Sequence, residues 1–134
     1  MTKLKKTFSL LSIYLIILFV NSSHARTFEQ CNSIASETNK TYPMKVDRIT
    51  TVRNIVCFPK NNKIIFSYQM EINIDEGYAI TQNALDAYRP KMVKMWCTDP
   101  TQLFLLKVYP IQYKYSFSNG QFIGEINFSI KDCS

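Results

Sequence analysis

The chain has 134 residues, 46% of them hydrophobic and 19% charged, with only 3 Gly and 5 Pro. That balance excludes an intrinsically disordered, collagen-like or low-complexity chain. The formal charge of +6 shrinks to a mild, scattered excess once three lysines of a leader are set aside, too little to argue for nucleic acid.

Residues 1–25 read as a secretory signal peptide. Lys3, Lys5 and Lys6 form its basic start, Thr7 to Val20 is almost wholly apolar, and Ser23-His24-Ala25 offers small residues for cleavage. The apolar run is short for a membrane span, and no cysteine follows it directly, which disfavours a lipoprotein anchor. No other segment is long and apolar enough to cross a bilayer. Residues 26–134 then form a single disulfide-stapled α/β domain of an oxidising compartment outside the cytoplasm.

Thr27 to Lys40 predicts a helix. Thr27-Phe28-Glu29-Gln30 fits a capping box, and Phe28, Cys31, Ile34, Ala35 and Thr38 share one face. Val46 to Phe58 predicts a strand. Pro59-Lys60-Asn61-Asn62 marks a turn, and Ile64 to Ile72 alternates apolar and polar residues as a half-buried strand does. The two strands make an antiparallel hairpin. Ile80, Ala84, Tyr88, Met92 and Trp96, with Leu85 and Met95 beside them, predict a helix that Pro90 kinks or splits. Asp99 and Pro100 suit the start of a short helix through Leu106. Ile111 to Phe117 and Phe122 to Ile130 alternate again around Asn119-Gly120, a hairpin turn signal. Phe122 and Phe128 fall on the apolar parity with Tyr113, Tyr115 and Phe117. The order α-β-β-α-α-β-β predicts an α+β fold: a two-layer α/β sandwich, its antiparallel sheet covered by helices on one face.

The four cysteines, Cys31, Cys57, Cys97 and Cys133, form no close pair of the C-x-x-C kind, so two disulfides are favoured over a metal site. Four cysteines allow three connectivities. A first helix running antiparallel to the first strand brings Cys31 near Cys57. Cys97 ends the long helix and Cys133 follows the last strand, which favours Cys97–Cys133.

The single histidine, His24, lies in the leader. Nucleophilic hydrolysis therefore lacks its usual base, and no Ser-x-x-Lys dyad replaces it. The residues offer no catalytic set, no metal ligands and no cofactor site. Candidate partner-binding residues are Lys114, Ser116, Glu125 and Asn127 on the polar face of the last hairpin, and Arg89, Lys91 and Lys94 on the long helix.

The element order, Trp96-Cys97-Thr98-Asp99-Pro100, and the stretch from Tyr113 to Cys133 with its Asn119-Gly120 turn and closing Asp132-Cys133 resemble small exported bacterial proteins of the quorum-sensing-regulated virulence factor family. The resemblance implies an α/β sandwich in a virulence-linked Gram-negative exported protein, and it assigns no site residues.

The leading functional reading is an exported non-catalytic binding protein, with a protein partner such as a secretion or envelope component or a host factor. A second is an inhibitor of an exported lysozyme or protease, acting through Pro59 to Lys63 or Asn73 to Tyr78. A third is a small enzyme built on Glu71, Asp75 and Glu76, which requires a hollow beside them.

Overall fold

The computed structural model describes residues 27–134, so the predicted signal peptide lies outside the described residues. Helix α1 covers 27–39. It is followed by β1 (Met44–Lys45), β2 (Thr50–Lys60), β3 (Lys63–Ile72), α2 (Ile74–Gly77), α3 (Gln82–Thr98), α4 (Pro100–Val108), β4 (Ile111–Phe117), β5 (Phe122–Phe128) and a closing 3-10 turn, Ile130–Cys133. The fold is α+β, an open five-stranded sheet in the order β1-β2-β3-β4-β5 with helices on one face.

Three of the four strand pairs are antiparallel, and the central pair, β3 with β4, is parallel. Helix α3 causes this. Gln82 at its start lies beside Glu125, and Trp96 near its end packs on Phe128 and Tyr113. The helix thus carries the chain back to the end of the sheet where β3 began, and β4 must leave in the same direction as β3.

The strand predicted from Val46 begins at Thr50 instead. The Asp47 carboxylate accepts from the backbone N–H groups of Ile49 (2.9 Å) and Thr50 (2.8 Å). That local competition makes a turn of residues whose composition favours extension, and β1 folds back onto β2. A bulge between Val52 and Asn54 lets Val52 and Ile55, an odd number of residues apart, both face the core. At the next turn Asn61 and Asn62 take positive φ, 52° and 61°, which asparagine tolerates better than most residues.

Pro90 does not split α3. It lies on the exposed side of one continuous helix, where its ring meets water rather than a packed neighbour. Asp99 caps α4 by accepting from Thr101 (2.9 Å) and Gln102 (3.1 Å). The core lies between helices and sheet, with Trp96, Tyr109, Phe66, Leu106, Ile111 and Ile126 among its best-buried side chains. Two disulfides fasten the layers, Cys31–Cys57 from α1 to β2 and Cys97–Cys133 from α3 to the closing turn.

Phe122 departs from its predicted place in the core. A second bulge pairs it with Ser116 rather than keeping it on the parity of Gly124. Its ring therefore shares the outer face with Lys114, whose ammonium lies 5.7 Å from it.

Candidate functional site

The helices leave part of the inner face open. Helix α1 is tied to β2 through Cys57 and Ile55, and α3 is tied to β5 through Glu125 and Asn127. Between them a groove of about 530 Å³ runs over the middle of the sheet. Its floor is Val52, Tyr68, Met70, Ile72, Tyr113 and Tyr115. One wall is the α3 side with Ala84, Tyr88, Met92 and Met95, and the other is Tyr42, Met44, Val46 and Asp47. Four large apolar side chains on these walls stay exposed: Met44, Val46, Tyr88 and Met95. Such a volume and lining suit an apolar guest.

The winding of the α3 stripe explains the wall. Apolar residues repeat every four positions, and in a helix of 3.6 residues per turn each step rotates by ~40°. The stripe therefore turns from the groove side at Ala84 and Tyr88 to the sheet side at Trp96. Leu85, Met92 and Trp96 are buried, while Ala84, Tyr88 and Met95 are not. The sequence presents all of them as one core stripe; its fourfold spacing was the signal that they separate.

The groove floor is neutral. Burial pushes the hydroxyls of Tyr68 and Tyr113 far above the ordinary phenol range. Burial, together with the nearby Tyr88 and Asp47, pushes Tyr115 up to about 12. Tyr68 and Tyr113 stack at 4.6 Å, and the Trp96 indole N–H donates to the Tyr113 hydroxyl at 3.1 Å. Asp47 brings a negative charge to one lip. Its carboxyl is held below its usual range: burial opposes this, and the hydrogen bonds from Ile49 and Thr50 outweigh it.

The predicted binding residues lie elsewhere and divide into separate places. Lys114, Ser116, Glu125 and Asn127 share the outer face with a hydrogen-bonded polar ladder. There the buried Ser67 donates to Gln112 (2.7 Å), and Gln112 donates to Glu125 (3.2 Å) and Asn127 (3.1 Å). Arg89 turns toward the sheet, donating to the Asn127 carbonyl and the Asp132 carboxylate, both at 3.0 Å. Lys91 lies beside Tyr88 at the groove rim, 5.7 Å from its ring, and Lys94 is exposed. Helical geometry therefore does not gather the three into one patch.

Glu71 lies on the outer face in an ion pair with Arg53. Glu76 pairs with Arg48 at 3.0 Å, and Asp75 is exposed at the start of α2. None of the three acids lines the groove. Among the described residues no group of His, Cys, Asp or Glu could hold a metal ion, and no helix is long and apolar enough to cross a membrane.

No family model and no curated protein matches the chain. Solved structures do. A Pseudomonas aeruginosa protein described as secreted is similar at a TM-score of 0.68 and 13% identity, over 81% of this chain and 94% of its own. The pilotin of the type 2 secretion system of Vibrio vulnificus has a TM-score of 0.65 and 19% identity, over 85% of this chain and 97% of its own. A type II secretion system pilotin of Vibrio cholerae has a TM-score of 0.57 and 15% identity, over 85% and 98%. At these identities the likeness shows the fold. The two disulfides, which persist in oxidising compartments, agree with an exported protein.

Proposed function

We propose that this chain is an exported, non-catalytic binding protein that holds an apolar segment of a protein partner in the groove between α3 and β1. The observation that carries this is the exposed set Met44, Val46, Tyr88 and Met95 around a neutral aromatic floor. The pilotin likeness supports a secretion-machinery component as the partner. The virulence link implied by the sequence resemblance belongs to this proposal as well.

Photo-crosslinking in the native envelope tests it. Crosslinkers at Val46 and Met95 capture one partner, and Met95→Asp, an exposed substitution, abolishes capture from Val46 while leaving the fold intact. Capture only from Lys114 or Asn127 places the binding face on the outer side of the sheet and overturns the groove reading.

The inhibitor reading has one feature in its favour. The Asn73 to Tyr78 segment folds as the short helix α2 rather than a loop, and Tyr78 at its end is 76% exposed. Inhibition of lysozymes or proteases that Tyr78→Ala removes is its test.

A further inference from the structure

The end of the molecule farthest from α2 carries an unneutralised basic cluster. Lys60 and Lys63 flank the β2–β3 turn, Lys107 closes α4, and Lys131 lies in the final 3-10 turn. All four are exposed and line two adjoining hollows that share Lys63, Pro110 and Ser129. Among the described residues none of them makes an ion pair, and the nearby acid Asp132 is taken by Arg89. The opposite end, a strand length of ~30 Å away, carries Asp75, Glu76 and Asp47 with Arg48. The charge is thus polarised along the strands, offset in part by Glu29 at the lysine end and Lys45 at the other, a feature that the scattered lysines of the sequence conceal.

Apolar side chains accompany these lysines. Phe104 and Val108, 72% and 49% exposed, share a face of α4 with Lys107. Ile130, beside Lys131, is also exposed. The chain enters at the same end: the Tyr109 hydroxyl donates to the carbonyl of Thr27 at 3.2 Å.

We infer that this end docks on an anionic bilayer surface, with the lysines on lipid phosphates and Phe104, Val108 and Ile130 in the headgroup boundary. Cations beside exposed apolar side chains are the chemistry of interfacial attachment. A free phosphate has no use for the apolar part. Attachment at this end turns the groove and the acidic end away from the membrane plane.

The test is co-sedimentation of the exported protein with phosphatidylcholine vesicles, with and without phosphatidylglycerol. Binding is expected only with phosphatidylglycerol, and it is expected to weaken as salt shortens the screening length. Each lysine removed from the cluster (Lys60→Gln, Lys63→Gln, Lys107→Gln, Lys131→Gln) should weaken it about fivefold. Phe104→Ser should weaken it further, and equal charge removal at Lys40, Lys45, Lys91 and Lys94 should weaken it far less. Equal losses from both lysine sets, or no preference between vesicles, would overturn the inference. Competition by inorganic phosphate with no effect of Phe104→Ser would assign the site to a free anion and overturn it too.

Discussion

Asn39, in the last turn of α1, and Ile55, in β2, exchange the pair of hydrogen bonds that two neighbouring strands would make. The Asn39 amide accepts from the Ile55 N–H at 2.7 Å and donates to its carbonyl at 2.9 Å. At the other margin of the sheet Gln82 does the same to Glu125, accepting at 2.8 Å and donating at 2.9 Å. Edge strand β5, and the stretch of β2 beyond its short pairing with β1, are each blocked by one side-chain amide, where an open edge would invite another chain.

Asn39→Ala leaves the N–H and carbonyl of the buried Ile55 without partners. The expected loss of stability is about 1–3 kcal/mol, read from urea denaturation. Amide exchange at Ile55 should accelerate before global unfolding. Asn39→Asp, which keeps the acceptor and loses the donor, should fall between wild type and alanine.

Gly124 is where Gln82 crosses β5. A Cβ there would run into the Gln82 amide and approach Leu85 Cδ1 at 3.1 Å. Gly124→Ala should therefore cost about 1–3 kcal/mol by overpacking. In a Gln82→Ala background the same change should cost less, and a double-mutant cycle measures the coupling.

Asp132 sets a pH dependence. The hydrogen bond from the Ser129 N–H holds the carboxyl below its usual range; burial opposes this, and Arg89 adds to it. A carboxyl depressed on folding contributes its full stability above the unfolded value of about 3.9 and loses it as pH falls through the folded value. Thermal melts of wild type and Asp132→Asn should thus differ by a constant amount near neutrality and converge in acid.

Trp96 is the sole tryptophan and is 1% exposed. Trp96→Ala should cost about 3–5 kcal/mol. In the wild type, its bond to Tyr113 on the groove floor couples its fluorescence to whatever enters the groove. A titrated apolar peptide should shift the emission, and Met95→Asp should abolish the shift.

Most of the architecture was legible because the alternating strands and the helix signals acted locally. Ile64 to Ile72 shows its buried face by parity alone, and Asp99-Pro100 marks the start of α4 to the residue. The cysteine pairing followed from the helix and strand directions. The features that escaped depend on relations between distant residues. The turn at Asp47 came from a side chain outcompeting the extended preference of its neighbours. Phe122 left the core through a bulge that no parity count contains. The groove needed the angle of α3 against the sheet, and the basic end needed four lysines from separate elements to meet. The polar ladder through Ser67 and Gln112 joins two strands far apart in sequence.

The disulfides are consecutive: the first two cysteines pair with each other, and so do the last two. In a chain threaded outward from its N-terminus, Cys31 and Cys57 are both across before Cys97 follows. Each cysteine thus meets its correct mate as the nearest oxidisable neighbour, and no bridge has to wait for β3 and β4 to join. Maturation should proceed at a normal yield in cells that oxidise thiols but cannot reshuffle wrong pairs.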